Sequence, residues 1–169
     1  MKAAEQWLLM EKAALGASVK ATTGGDNEAI RRGNLYHSHV YKVLRIEWLL
    51  NHIPEDSPWE LLIEPWFRTF AWKLRSPDAI LLNRAAKKAV VVEVKMNYAS
   101  GRDVKLLTEY LPLVRSAFDL ESSFPVMIVG NTRGMKHKPL LSLGDLIPAA
   151  MGWRPGMPTP TLLHVKRIS

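Results

Sequence analysis

Two short motifs carry most of the chemical information in this sequence. Asp78 follows Ser76-Pro77 and opens the segment PDAILLN, whereas Glu93 and Lys95 lie fifteen and seventeen positions further on, in AVVVEVKM. Both segments are short, aliphatic and rich in β-branched residues, which is typical of strands. The sequence therefore places two acids and one amine on two neighbouring strands.

The connection between these strands fixes how the acids meet. It is NRAAKK (83–88), a polar segment of hairpin length. If the turn is symmetric about its middle, Asp78 faces Glu93, with Cβ atoms roughly 4.5–5.5 Å apart. Lys95 lies two residues beyond Glu93 and shares its face. Since two carboxylates so close repel each other, we expect a divalent cation between them, typically Mg²⁺. A register slip of one residue would separate the acids onto opposite faces.

A third acid lies on the helix that precedes these strands. The sequence predicts a helix from about Glu28 to His52, with an apolar stripe that includes Val40. Glu47 is seven positions after Val40, so it falls on the side that faces the core. Because burying an unpaired carboxylate is costly, we expect Glu47 to meet a cation, a hydrogen-bond network or the metal site.

The remaining elements complete a mixed pattern. Their order along the chain is helix, three strands, helix, strand, which predicts an α/β fold with helices flanking a mixed sheet. The further predicted elements are a helix over residues 3–15, a strand over 59–72 bent at Pro65, a helix after Ser100 kinked at Pro112, a strand over 124–132 and a last strand in TLLHVKRI (161–168).

The charge is unevenly distributed. The chain of 169 residues has a net charge of +7. Residues 1–130 contribute +2 and residues 131–169 contribute +5. An excess of this kind favours a nucleic acid or another anionic surface as partner, although a basic protein without such a partner has the same charge.

Composition excludes several classes of protein. With no cysteine, the chain has no disulfide scaffold, thiolate metal site or cysteine nucleophile. No apolar run approaches the ~18 residues of a membrane span, so we expect no membrane partner. Glu5 and Glu11 lie where a signal peptide would be uncharged, so we expect no secretion signal and a cytoplasmic protein.

The motifs resemble those of a known superfamily. Ser76-Pro77-Asp78, a gap of 14 residues, and Glu93-Val94-Lys95 look like the signature of the PD-(D/E)XK nucleases. The predicted order of elements resembles their restriction-endonuclease-like core: a helix, a three-stranded meander, a helix and a strand. The resemblance covers about residues 28–131. It divides the chain into an N-terminal helix and loop extension (1–25), a nuclease-like core (26–132) and a basic Pro/Gly-rich extension of the same domain (133–169).

The resemblance implies roles for individual residues. Asp78 and Glu93 would ligate Mg²⁺, for which Mn²⁺ would substitute, together with the backbone carbonyl of Val94. Lys95 would orient or deprotonate the attacking water, and Glu47 matches an acid that many members carry in the first helix. Some subgroups also have Gln-x-x-x-Tyr in the second helix, which this chain lacks because Leu106 takes the Gln position.

The implied activity is metal-dependent hydrolysis of DNA phosphodiester bonds. The compact size resembles nucleases of viral or prokaryotic recombination and repair, including junction resolvases, which act as homodimers; RNA is an alternative substrate. The residues expected to contact nucleic acid are His37, Tyr98, Arg102, Lys105, Arg133, Lys136 and Lys138.

Other interpretations remain open. Asp78 could simply follow proline at a strand start, and Glu93 and Lys95 could form a solvated face with surface ion pairs worth ~0–1 kcal/mol. A nuclease-like module could bind nucleic acid without cutting it, or the site could hydrolyse a small phosphoester. Convergence of the Asp78 and Glu93 carboxylates tests the assignment of the site, and DNA cleavage distinguishes a nuclease from a module that only binds.

Overall fold

The computed structural model describes residues 5–10, 28–48, 56–98, 101, 103–131 and 143–166, with the backbone alone at 29, 30, 47 and 48. Within these ranges the chain has a mixed α/β fold with three helices and two sheets. The strands are β1 (Leu8–Leu9), β2 (Trp59–Ile63), β3 (Phe67–Arg68), β4 (Leu74–Arg75), β5 (Ala79–Asn83), β6 (Lys88–Asn97), β7 (Ser122–Asn131) and β8 (Thr161–His164).

Each helix is joined to a shorter helical segment of different pitch. The helix α1 (Glu28–Lys42) continues as a π-helical segment, Val43–Trp48. The helix α2 (Leu111–Phe118) follows a π-helical segment, Leu106–Tyr110, and α3 (Leu146–Met151) follows a 3₁₀ turn, Leu143–Asp145. No helix among the described residues is long and apolar enough to cross a membrane.

The larger sheet has five strands in the order β2-β5-β6-β7-β8. The first three strands are antiparallel neighbours, whereas β7 runs parallel to both β6 and β8. Parallel neighbours need a crossover connection, and here α2 lies in the chain between β6 and β7 and α3 between β7 and β8. The sheet is therefore mixed, as the sequence predicted.

The central strands are buried on both faces. All five residues of β5 and the six consecutive residues Ala89–Val94 of β6 are buried. Such strands are found where helices cover both sides of a sheet. One core contains α1, α3 and the β6 residues Val90, Val92 and Val94, and the other contains α2 with Ala89 and Val91. A buried acid in these strands therefore lies in a largely apolar setting.

The helix predicted from Glu28 is confirmed as far as Trp48; residues 49–55 lie outside the described part of the chain. It packs through Tyr36, Val40 and Leu44, which are nearly inaccessible to solvent. The Tyr36 hydroxyl donates a hydrogen bond of 2.8 Å to the carbonyl of Val165, just beyond β8. This contact ties the helix to the last strand of the sheet.

The helix predicted over residues 3–15 is wrong where the structure describes that segment. Residues 5–10 are extended, and β1 pairs antiparallel with β3. The Met10 N–H bonds the Trp66 carbonyl at 2.8 Å, and Trp7 is buried in the core beneath α2. Pairing with β3 and burial of the indole outweigh the local helix propensity, which is only a weak determinant.

The strand predicted over residues 59–72 is two strands in different sheets. β2 ends at Ile63, Glu64 has a left-handed backbone (φ 47°), and after Pro65 the chain enters β3. β3 then pairs with β4, a strand that the sequence did not predict. The break at Pro65 was foreseen, but its consequence is a change of sheet instead of a bend.

The other predicted elements are present with shifted bounds. The hairpin strands, the helix after Asp103, the strand from Ser122 and the last strand near Thr161 are confirmed. At the predicted kink, Pro112 lies in the first turn of α2, directly after the π-helical segment. The helix α3 was not predicted. Because β8 pairs with β7, the C-terminal extension includes a strand of the main sheet.

Candidate active site

The hairpin register is the one that the symmetric turn predicted. Leu82 pairs with Ala89 and Ile80 with Val91, and the ladder between β5 and β6 ends at Ala79 and Val92. Asp78 and Glu93 are the next opposed positions in that register. The prediction that the two acids face each other is therefore confirmed.

Just beyond the end of the β5–β6 ladder, the carboxylates of the two acids accept hydrogen bonds from backbone N–H groups. Glu93 Oε1 accepts a hydrogen bond of 3.1 Å from the backbone N–H of Asp78. Asp78 Oδ2 accepts one of 2.7 Å from the backbone N–H of Val94. Both acids are buried, with exposed fractions of 6% for Asp78 and 9% for Glu93. The side chains thus cross between the strands and hold the end of the hairpin together.

The first helix supplies two further partners to Asp78. The Tyr41 hydroxyl donates to Asp78 Oδ1 at 3.2 Å, and His37 Nε2 lies 3.4 Å from Asp78 Oδ2. His37 and Tyr41 are four positions apart, so they lie on the same face of α1. The carboxylate of Asp78 therefore has donors from the strand on one side and from the helix on the other.

His37 is arranged to carry a positive charge. Its Nδ1 lies 2.7 Å from the Gly33 carbonyl and its Nε2 faces Asp78, so both ring nitrogens face acceptors. Only the imidazolium form can donate to both. Burial works against that form, but the hydrogen bond and charge of Asp78 outweigh it and raise the pKa of His37, while Lys95 opposes the shift. His37 is therefore a partner of Asp78, and its predicted contact with nucleic acid stays a prediction.

Tyr41 links the site to a third acid. Burial, followed by the negative charges of Asp78 and Glu64, raises the pKa of the Tyr41 hydroxyl far above its usual value, and its hydroxyl also hydrogen-bonds Glu64. Tyr41 therefore stays protonated and acts as a donor. Glu64 is close for a second reason, since its backbone N–H bonds the Asp78 carbonyl at 2.8 Å.

The second helix approaches the acids through Tyr110. Burial, and after it the charges of Glu93 and Asp78, raises the pKa of the Tyr110 hydroxyl. Both carboxylates therefore act on one hydroxyl group, as expected if they lie together. The neighbouring Glu109 forms an ion pair with Arg75 of β4, and the charge of Arg75 opposes the shift at Tyr110. A guanidinium group thus lies beside the acidic site.

Lys95 continues the site along β6. It is half-buried, and in the parallel register it pairs with Val129 of β7. Two residues beyond Glu93 on the same strand, its side chain lies on the face of that acid. The positive charge of Lys95 opposes the rise in the pKa of His37, so the amine acts electrostatically on this donor from α1.

The donor set fits Mg²⁺, which proteins usually hold through one or two carboxylates with water and substrate oxygens completing the shell. Asp78 and Glu93 provide two buried carboxylates, and the Val94 carbonyl follows them on β6. No group of three or more His, Asp or Glu side chains within the described residues forms a metal site by itself. The side chain of Glu47, a predicted ligand, lies outside those residues.

The structure describes two further predicted nucleic-acid contacts, Tyr98 and Lys105. Tyr98 is half-buried and packs on Met127, Val129 and Leu162. Lys105 is exposed, with its Nζ 5.4 Å from the centre of the Tyr110 ring. Arg102, Arg133, Lys136 and Lys138 lie outside the described residues, so their roles stay predictions.

Sequence reasoning missed Tyr41, Glu64 and Arg75 as parts of the site. The signal for Tyr41 was its spacing of four from His37 on one helix. For Glu64 the sequence contains no usable signal, because the strand pattern that would set its face breaks at Pro65. Arg75 was hidden by the unpredicted strand β4. No protein-family model and no curated protein matches this chain.

Proposed function

We propose that the protein is a Mg²⁺-dependent nuclease that hydrolyses DNA phosphodiester bonds. One observation carries this proposal: Asp78 and Glu93 oppose each other where the β5–β6 ladder ends, with Lys95 next on the same face. Two buried acids and an amine at one strand end are the groups that metal-dependent phosphodiester hydrolysis needs.

The arrangement of elements supports a restriction-endonuclease-like core within the mixed fold. α1 precedes the antiparallel strands β2, β5 and β6, and α2 leads to the parallel strand β7. This is the order of helix, meander, helix and strand that the motifs led us to expect. The match of both motif and order is the basis for assigning the core to this class.

The residues of the site divide the work. Asp78, Glu93 and the Val94 carbonyl would hold the ion, with Glu47 as a further ligand. When bound, Mg²⁺ would polarise a phosphoryl oxygen and balance negative charge. Lys95 would orient or deprotonate the attacking water and stabilise the negative charge on the phosphate. Tyr41 and His37 hold the Asp78 carboxylate in position.

The substrate and assembly follow from the same proposal. A net charge of +7 favours a polyanionic partner, and we propose DNA, with RNA as the alternative. We propose branched recombination or repair intermediates as the substrates, and a cytoplasmic location for a prokaryotic protein or, for a viral one, the cytoplasm of its host. Symmetric cutting of two strands would require a homodimer.

The deciding experiment is a cleavage panel. Purified protein is incubated with linear, single-stranded, flapped and four-way DNA, with Mg²⁺ or Mn²⁺ and then with a chelator. We expect metal-dependent cleavage that Asp78→Asn abolishes, whereas Glu60→Gln, a change on the exposed β2 edge, leaves it intact. Cleavage of no substrate under any condition would sink the proposal.

One observation favours a second function, a module that binds nucleic acid without cutting it. Asp78 accepts hydrogen bonds from Val94 and Tyr41 and faces His37, so its carboxylate is satisfied by the protein alone. The acids would then serve to fasten the hairpin. Under this alternative the protein binds DNA equally well in Mg²⁺ and in chelator. Wild type and the variants at Asp78 and Glu93 then all leave the DNA uncut.

A further inference from the structure

A tight turn between β3 and β4 presents two aromatic rings to solvent. Phe70 is 67% exposed and Trp72 is 62% exposed, both in the turn Thr69–Lys73. Large aromatic side chains contribute strongly to binding when they become buried. Two such rings, two positions apart at one tip, therefore form a surface that is suited to a partner.

The turn is ordered by its own hydrogen bonds. The Thr69 N–H bonds the Lys73 carbonyl and the Trp72 N–H bonds the Thr69 carbonyl, each at 3.0 Å. The Thr69 hydroxyl accepts a third bond, of 3.1 Å, from the Lys73 N–H. Trp72 has a φ of 62°, a left-handed conformation that costs a bulky residue about 1–3 kcal/mol. The turn thus holds its rings outward in spite of a local cost.

Cations accompany the rings. The Arg68 guanidinium carbon lies 4.5 Å from the centre of the Trp72 ring, in a cation–π arrangement. The segment 66–75 also contains Lys73 and Arg75, of which Lys73 forms an ion pair of 3.5 Å with Glu5 and Arg75 forms one with Glu109. Aromatic faces combined with cations are the features that bind single-stranded nucleic acids, in which bases stack on rings and phosphates meet positive charge.

The turn is close in the chain to the acidic site. Only six positions separate Trp72 from Asp78. An extended chain spans at most about 3.3–3.6 Å per residue, so the two lie within about 22 Å. A strand of a few nucleotides can span that distance.

We propose that the turn Thr69–Lys73 is a stacking platform for unpaired bases of a nucleic-acid strand. Phe70 and Trp72 stack on bases, and Arg68, beside the Trp72 ring, contacts a flanking phosphate. The inference rests on the proposed function in one respect: the strand held there is the one that continues to Asp78 and Glu93. The inference specifies the substrate of the proposed nuclease as a nucleic acid that has unpaired nucleotides next to the cleaved bond.

Charge complementarity favours this partner over a second copy of the chain. Each copy has a net charge of +7, and the cations at the turn would meet cations of an equally basic protein. A polyanion gains from the same charges. An anionic membrane surface shares the charge argument, so the test includes one.

The experiment measures binding of a labelled mixed-sequence single-stranded oligonucleotide by fluorescence anisotropy. It uses the full chain in chelator, so that cleavage does not enter. The double variant Phe70→Ala/Trp72→Ala is compared with Ile46→Ala, a control in the π-helical segment Val43–Trp48 at a residue that is 61% exposed. Stacking is worth about 1–3 kcal/mol per base, so we expect the double variant to bind at least about tenfold more weakly.

Three further measurements complete the test. Trp72→Phe, which keeps a ring, should restore most of the affinity that Trp72→Ala loses. Thermal unfolding should show that the double variant is folded. Sedimentation and co-pelleting with vesicles of mixed anionic and neutral lipid should give the same result for wild type and double variant.

The inference is overturned if the double variant binds the oligonucleotide as tightly as wild type, or if wild type does not bind it. It is equally overturned if the double variant loses dimerisation or vesicle binding instead. These outcomes are separate from the proposed function. If binding depends on the two rings but the protein cuts no substrate, the stacking platform is retained and the nuclease proposal is rejected. If the protein is an active nuclease but binding does not depend on the rings, the nuclease proposal is retained and the platform is rejected.

Discussion

Asp78 and Glu93 each accept a hydrogen bond from the backbone of the strand that carries the other acid. The Asp78 N–H bonds Glu93 Oε1, and the N–H of Val94, next to Glu93, bonds Asp78 Oδ2. The acids are therefore candidate metal ligands, and they also form hydrogen bonds between the two hairpin segments beyond the end of the β5–β6 ladder. Variants at these positions should change stability as well as chemistry, and the two effects need to be separated.

Replacing Asp78 by alanine should destabilise the fold. The change removes the Tyr41–Asp78 hydrogen bond and leaves the Val94 N–H without its acceptor, and a buried donor left unsatisfied costs about 1–3 kcal/mol. Asp78→Asn keeps one acceptor oxygen and should lose less. Urea unfolding without metal measures both. An alanine variant more stable than wild type would mean that repulsion from Glu93 dominates over these hydrogen bonds.

Replacing Lys95 by alanine should abolish cleavage and spare binding. Positioned acid–base groups contribute typically about 10²–10⁴-fold to a rate, and Lys95 is half-buried beside the acids. Single-turnover cleavage in Mg²⁺ gives the rate, and anisotropy in chelator gives the affinity. The matched control is Lys88→Ala, at the other end of the same strand. An equal loss of cleavage rate in Lys95→Ala and Lys88→Ala would mean that the loss comes from the lower positive charge in general and not from the position of Lys95.

Mg²⁺ should stabilise wild type against unfolding, but not Glu93→Gln. A ligand that binds only the folded state adds about 2.7 kcal/mol at a concentration one hundred times its dissociation constant. Glu93→Gln keeps an acceptor for the Asp78 N–H while it removes the charge. Thermal melts with and without Mg²⁺ measure the effect. Equal metal-induced shifts in the two proteins would place the ion elsewhere.

The contribution of His37 to stability should depend on pH. The pKa of His37 is raised in the folded protein, so protonation favours the folded state. The contribution is complete below the unfolded value of about 6.5 and is lost as the pH rises through the higher folded value. The difference in unfolding free energy between wild type and His37→Ala should therefore be larger near about pH 5.5 than near about pH 8.5. The reverse trend would indicate a neutral imidazole.

Neutralising Arg133, Lys136 and Lys138 should flatten the salt dependence of DNA binding. Each lost phosphate contact removes about 0.9 from the slope of log K against log salt on duplex DNA. Asp78→Asn should leave the slope unchanged, because it alters the metal site and no phosphate-binding cation. Titrations at several salt concentrations give the slopes. Parallel lines for wild type and the triple variant would exclude these residues from the interface.

The hairpin and its acids were predictable because they depend on local information. A short polar connection between two aliphatic segments fixes the register, and the register brings Asp78 to Glu93. Trp7 and Glu64 were not predictable in this way. The burial of Trp7 depends on pairing between β1 and β3, far apart in the chain, and Glu64 adopts a left-handed conformation that no alternating pattern reveals.

The connection between β5 and β6 has a consequence for how the protein reaches its folded state. It contains only the four residues Arg84–Lys87, and closing so short a loop costs little chain entropy. Pairing β6 with the parallel strand β7 requires a much longer closure. The two acids therefore meet through the most local contacts of the sheet, and we expect their pairing to precede, in folding, the docking of the strands that later enclose it.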